Sequence, residues 1–185
     1  VVNTGTYVLV GAHSDSLWGK EQLHRHPEIV RWWYVDKEMM EVGNAFGGTI
    51  YVAIEPGSTL GIFDVTISNA VEAPTFTLGA NSLDDWLNQD RYLPAPWAEI
   101  GSDQFILTVP SHQIRDLENP DDLMEWWGQA LEMEHELYGF LPWPRVERAV
   151  FDVQISAGWM HSGYPFMAHD LSVPSVVNLT QISEE

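Results

Sequence analysis

Residues 119 to 138 form the best-fenced stretch of this sequence, and where they begin and end limits every fold the chain can adopt. Asn119 is a good N-cap, Pro120 suits a first helical position, and Asp121 and Asp122 fall in the first turn, where the helix dipole favours acids. Leu123, Trp126, Trp127, Ala130, Leu131 and Leu137 recur near helical spacing and predict one apolar face. Gly139 then offers a left-handed stop, and Pro142 and Pro144 prevent the helix from resuming. One long helix, placed late, leaves the first 118 residues to other structure.

Those residues carry strand signals. Tyr7 to Ala12, Ile29 to Val35 and Thr49 to Ile54 are short runs dense in β-branched or aromatic residues. Gly47 and Gly48 break the chain before the third run, and Glu55-Pro56-Gly57-Ser58 reads as a turn. Ile62 to Ile67 alternates apolar with polar residues and predicts a strand with one wet face. Strands at this spacing suggest a β-sandwich or half-barrel. Ser82 can cap a short helix over Leu83 to Leu87, with Asp84 and Asp85 in its first turn. Two prolines keep Leu93 to Trp97 out of any helix interior, Phe105 to Val109 reads as a buried strand, and Ala149 to Ile155 as another. The order of elements is mixed α+β with a β-rich, sandwich-like leading part, residues 1–80.

Composition excludes several functions. With 27 acidic against 8 basic residues the net charge is −19, which repels a phosphate backbone, so no nucleic acid is expected as a partner. Solubility accounts for the acidity, with calcium binding or salt tolerance as alternatives. Forty-five per cent hydrophobic residues and nine tryptophans fit a folded chain rather than a disordered one. The absence of cysteine removes disulfides, thiolate metal sites and cysteine nucleophiles. No apolar run approaches the roughly 18 residues of a membrane span. The start does not read as a signal peptide, so the chain looks processed or excised, and an Asn-Leu-Thr sequon begins at Asn178.

Among residues that carry chemistry, His24 and His26 share one face if extended, yet a metal needs three or four converging ligands, and a solvated loop is the simpler reading. Glu134-His135-Glu136 begins like a zincin helix, but the position four after His135 is Gly139, which cannot ligate. The acid pairs at 84–85 and 121–122 are explained by helix dipoles. A G-x-S-x-G nucleophile elbow is missing, and the glycines at 43–48 lack the Lys-Ser/Thr of a phosphate loop. The remaining candidate is the segment Phe151 to His169. There Gly158, Trp159, His161, Ser162 and Tyr164 combine permissive glycines with stacking rings and hydrogen-bonding groups, the means by which sugars and peptides are held. A tightly packed turn with its aromatics in the core would carry the same residues, and chemistry alone leaves both readings open.

The string VFDVQISAGWMHSGYPFMAH resembles the stretch leading to the catalytic helix in M60 (enhancin-like) zinc metallopeptidase domains, with its closest wording in the animal branch, the TRPM8 channel-associated factors. VGAHSDSLW (Val10 to Trp18), FGGTIYV (Phe46 to Val52), Ala73-Pro74, LTVPS (Leu107 to Ser111) and Arg115-Asp116-Leu117 follow the family in the same order.

The resemblance implies a gluzincin-like peptidase of glycoprotein or mucin-type substrates, in which residues 81–185 are the front half of the peptidase subdomain. It implies that Phe151 to Ile155 and the Gly158 to Tyr164 loop form a substrate-side cleft wall, an edge strand and its loop. It also implies an HExxH helix and a further glutamate that these 185 residues do not contain. Zinc is therefore expected in the intact parent domain and no cofactor in this chain, which is expected to be inactive by itself. The implied partners are a glycoprotein or peptide substrate and the missing remainder of its own domain, including a separate piece carrying the helix. The alternative is a non-catalytic protein- or glycan-binding module of the channel-associated kind. The peptidase reading favours an extracellular or cell-surface setting, the alternative a cytoplasmic one.

Overall fold

The computed structural model describes residues 5–139 and 144–182. Its three layers are a small sheet, a large sheet and a set of helices. The small sheet contains β1 (Thr6–Val10), β2 (Arg31–Tyr34) and β3 (Ile50–Ile54), antiparallel in the order β2-β1-β3. Tyr7 lies opposite Tyr34 and Ala53, and Leu9 opposite Trp32 and Tyr51, so these side chains share one face. Where β1 leaves the sheet and β3 enters it, the backbones nearly touch. A Cβ on Gly48, at φ 127°, would stand 2.7 Å from the Gly11 Cα and N, which is why the Gly47-Gly48 break is needed there.

The large sheet has six strands in the order β4-β5-β6-β7-β9-β8: β4 (Thr75–Thr77), β5 (Trp97–Gly101), β6 (Phe105–Pro110), β7 (Glu147–Asp152), β8 (Met160–His161) and β9 (Phe166–His169). β6 and β7 run parallel, so the chain between them must cross over. The crossover is α2 (Pro120–Tyr138), preceded in the chain by α1 (Leu83–Asn88). Two short helices, α3 (Val173–Val177) and α4 (Leu179–Ile182), follow β9. One face of the sheet, with Ile100, Leu107, Phe151 and Ala168, packs against Trp86 of α1 and Leu123 and Met124 of α2 to make the main core. Trp86 is wholly buried, and its indole N–H donates to the Leu117 carbonyl at 2.8 Å, so the ring is inserted without an orphaned donor.

The mixed α+β class expected from sequence is the class observed, as are the Ser82 cap of α1 and the Gly139 stop of α2. The Ser82 hydroxyl accepts from the Asp85 N–H, and Gly139 is left-handed at φ 67°. The expected stop at Pro142 lies outside the described residues. Four expectations are corrected. Ile62 to Ile67 is not a strand: its alternation has no neighbouring strand to pair with, and Ile62, Val65 and Ile67 are exposed. Asn119 occupies the N-cap position of α2 without a side-chain cap hydrogen bond. Leu137 is exposed, because the last turns of α2 run past the sheet, whereas Met124 is buried in the core. Finally, the FDVQI strand is not at an edge. β7 lies between β6 and β9, and the edge belongs to the two-residue β8.

Candidate functional site

The chain between β7 and β9 turns out of the core at Ser156, passes Gly158 at φ 60°, and returns as β8 along β9. The turn brings Trp159 beside His169, with rings stacked at 4.8 Å and 10° between planes, while the His169 N–H donates to the Trp159 carbonyl at 2.9 Å. Trp159 is nonetheless 56% exposed, a flat apolar face held rigid from behind. Tyr164 is also exposed. Its hydroxyl donates to the Val146 carbonyl at 2.9 Å, and the Arg145 guanidinium lies 4.0 Å from the ring centre. The two rings do not converge. Trp159 sits by the C-terminal end of β9 and Tyr164 just before its start, so they are separated along that strand by roughly 10 Å at strand rise.

His161 points the other way, into the seam between the large sheet and the loops of the small one. Its Nε2 is 2.9 Å from Asp15 Oδ2 and 3.1 Å from Ser156 Oγ, and its Nδ1 is 3.0 Å from the Ser162 carbonyl. The Ser156 N–H donates to the same Asp15 oxygen at 2.6 Å. The hydrogen bond that His161 donates to the Ser162 carbonyl, with the one to the Asp15 carboxylate, holds the His161 pKa above its ordinary value. Burial pushes the Asp15 carboxyl up, but hydrogen bonds from His161 and Ser156 outweigh it and hold it below the usual carboxylate range. Serine, histidine and aspartate meet here, yet not as a nucleophile relay. Such a relay needs serine on one ring nitrogen and aspartate on the other, and here both address Nε2. Of the residues singled out from sequence, Gly158 supplies the turn, Ser162 contributes its carbonyl, His161 ties the seam, and Trp159 and Tyr164 face outward.

Beneath this pair lies a cluster that sequence reasoning missed. Asp152, at the end of β7, is buried and receives Arg25 Nε at 2.5 Å. Arg25 also donates to the carbonyls of His26, Pro27 and Asp15. Gln154 accepts from the His24 N–H at 2.7 Å and donates to the Gln22 carbonyl at 2.9 Å. His13 is buried edge-on against Trp97 at 4.6 Å, with neither ring nitrogen in a well-formed hydrogen bond, and its burial lowers its pKa. These partners are 127 to 146 residues apart in the chain, a separation no spacing rule can pair. The one available signal was that VGAHSD and FDVQIS both stand out as ordered motifs.

The histidines do not assemble a zinc site. His26 stacks on Phe46 at 4.7 Å, His135 has no ligand four residues on, and Asp152, 3.9 Å from His13, has its Oδ2 engaged by the Arg25 guanidinium. Among the described residues no three His, Cys, Asp or Glu side chains converge to hold a metal. No chemical step through zinc is therefore derived for these residues.

Two family models meet at residues 68 and 69 of the chain. Residues 69–185 match the family model described as "Peptidase M60, enhancin and enhancin-like", and residues 2–68 match the N-terminal domain of M60-like peptidases. The chain is 42% identical over 179 residues to a TRPM8 channel-associated factor homolog of Xenopus laevis, covering 96% of this chain and 20% of the relative. It is 40% identical over 177 residues to human TRPM8 channel-associated factor 2, covering 95% and 19%. The chain thus spans about a fifth of the length of these curated relatives. Among solved structures, a conserved Bacillus anthracis protein of unknown function aligns with TM-score 0.63 at 15% identity, over 97% of this chain and 38% of the other. The catalytic module of the Clostridium perfringens metalloprotease ZmpA aligns with TM-score 0.57 at 12% identity, over 95% and 44%. The M60 catalytic domain of Clostridium perfringens ZmpC, solved in complex with the sialyl T antigen, aligns with TM-score 0.53 at 11% identity, over 92% and 39%. At such identities these structures speak for the fold, whereas the family models speak for descent, and together they account for residues 2–185: the chain belongs to the M60, enhancin-like peptidase family.

Proposed function

We propose that this chain forms the accessory sheet and substrate-side wall of an M60-like peptidase unit, with the loop from Gly158 to Tyr164 as the surface that meets a glycoprotein or mucin-type substrate. The observation that carries this reading is Trp159, exposed at the sheet edge but braced by His169, an arrangement suited to a sugar ring or a peptide side chain. The sialyl T antigen bound to the structurally similar ZmpC domain is consistent with a glycan as the ligand class. Hydrolysis itself is assigned to groups other than the described residues, since these do not gather metal ligands. The 185-residue chain supplied with stoichiometric zinc should therefore leave mucin intact. Chelator-sensitive cleavage by it would overturn this assignment. Calorimetric titration with a sialylated O-glycopeptide tests the wall directly: Trp159→Ala should weaken binding at least several-fold, given the roughly 1.5–3 kcal/mol gained when a large apolar side chain is fully buried. Unchanged affinity would remove the wall from consideration.

A second reading is favoured by one specific observation. The relatives at 40–42% identity carry the name of channel-associated factors rather than of proteases. On this reading the same exposed loop is a protein-binding surface without catalysis. Competition separates the two: a free glycan that displaces a bound glycoprotein supports the wall, whereas binding that survives removal of all glycans from the partner supports the protein-binding module.

A further inference from the structure

We infer that His161 and Asp15 form a protonation-dependent latch, which holds the Trp159-bearing loop and β8 against the accessory part and releases them as the imidazole loses its proton. The inference rests on the reading of that loop as a binding surface only for its consequence, not for its geometry. The geometry is a matter of donors and acceptors. A backbone carbonyl and a carboxylate only accept hydrogen bonds, and His161 presents one ring nitrogen to each, Nδ1 to Ser162 and Nε2 to Asp15. A neutral imidazole has one N–H and leaves one of these contacts as two acceptors facing each other. The imidazolium satisfies both.

The surroundings favour the charged form without locking it. From the loop after β1 come Asp15 and, deeper, His13, which burial keeps neutral. From the loop before β2 comes Arg25, whose guanidinium is committed to Asp152 and reaches Asp15 only at its carbonyl, 3.4 Å away. From the chain after β7 comes Ser156, whose N–H fixes the Asp15 carboxylate in place and whose Oγ lies 3.1 Å from His161 Nε2. That hydroxyl can donate to a neutral Nε2, but it leaves the Asp15 oxygen, 2.9 Å from the same nitrogen, facing it as a second acceptor. Among the described residues Asp15 is thus the one carboxylate on His161, and its side chain is 7% exposed while that of His161 is 25% exposed, open enough to exchange a proton with solvent. His161 is half of β8, so the latch acts on the edge strand itself, and Trp159 is its neighbour but one.

The direction follows from linkage. A folded-state pKa raised above the ordinary 6.5 contributes stability that is fully present below pH 6.5 and is lost as pH rises through the folded value. The loop should be tight in mildly acidic solution and loosen on the alkaline side.

The test needs no ligand. Side-chain nitrogen NMR of the full chain should show His161 titrating above 6.5, with both ring nitrogens protonated below that midpoint, and Asp15→Asn should return it toward the ordinary value. Amide exchange over residues 157–162, corrected for the intrinsic base dependence, should lose protection through the same midpoint. His161→Gln, which keeps hydrogen-bonding capacity but cannot titrate, should make that protection independent of pH. A His161 midpoint at or below 6.5, or loop protection that follows pH equally in His161→Gln, would overturn the latch. If Asp15→Asn fails to fold, the wild-type titration and the His161→Gln comparison still decide. The outcomes also separate the two readings: unchanged glycopeptide affinity in Trp159→Ala with an intact pH response leaves the latch standing and removes the wall.

Discussion

Two histidines thirteen and 161 residues into the chain show how environment sets opposite behaviour on one side-chain type. His161 gains acceptors at both nitrogens and holds its proton, whereas His13 is buried against Trp97, and burial lowers its pKa despite the nearby Asp152. Asp152 cannot compensate because Arg25 already engages it. A lowered histidine pKa means that the unfolded chain binds the proton more readily, so His13 should cost stability as pH falls below 6.5. Because His161 contributes with the opposite sign, the decline is read as a difference: in urea unfolding from pH 7.5 downward, wild type should lose stability relative to a His13→Asn variant, which is less stable overall. Identical slopes for the two proteins would show that His13 does not titrate in this range. Neither behaviour was legible in the sequence, where the seven histidines differ only in their neighbours along the chain. Gly48, by contrast, was legible as a break, and its reason is now steric. Gly48→Ala would place a methyl 2.7 Å from Gly11 at a positive φ, and should cost about 1–3 kcal/mol or more of stability, read as a lower denaturant midpoint.

At the level of elements, the parts that could be read were those whose signals are local. The long helix was marked by Pro120 and Gly139, α1 by Ser82, and β6 by a run apolar but for Thr108 that turns out to lie inside the large sheet. Ser82→Ala should lower stability by about 1 kcal/mol, because it removes the hydroxyl that caps the Asp85 N–H. Leu107→Ala, in the middle of β6 and 1% exposed, should cost about 2–5 kcal/mol. Thermal melts of the two variants should therefore differ several-fold in their shifts, and similar shifts would mean that the core tolerates collapse around position 107. What failed was anything that depends on a partner. The alternation of Ile62 to Ile67 has the period of a strand but meets no neighbour, and FDVQI reads equally well at an edge or in the interior. Periodicity reports which face could be buried, and only topology says whether something covers it. The candidate loop was legible as residues and illegible as an arrangement, since the partner of His161 lies 146 positions away in Asp15.

Taken as one molecule, the chain is two sheets joined by polar ties. At one, Tyr51 of β3 donates to Glu99 of β5 at 2.5 Å, and the same carboxylate oxygen receives Thr108 and the guanidinium of Arg148. At a second, beside the Asp15–His161 and His24–Gln154 contacts, Arg25 meets Asp152 in near-complete burial, with side chains 9% and 3% exposed. Arg148 and Asp152 lie four residues apart on β7, roughly 13 Å, and share no partner, so the two ties should first behave as independent sites. Removing Arg25 strands a buried carboxylate, a change that typically costs about 3–5 kcal/mol, and should hurt more than removing Arg148 from the wetter pair. The small sheet has little core of its own: Val10 is the one strand hydrophobe in it that is buried. Three strands with so thin a core depend on what they pack against. With both guanidinium ties cut, in Arg25→Met combined with Arg148→Met, the remaining contacts should no longer hold the small sheet to the stability of the large one. Hydrogen exchange should then show the amides of β1, β2 and β3 opening at lower denaturant than those of β6 and β7, which each single variant keeps in one transition. Simultaneous opening of all five strands in the double variant would mean that apolar contact, rather than these ion pairs, joins the two halves.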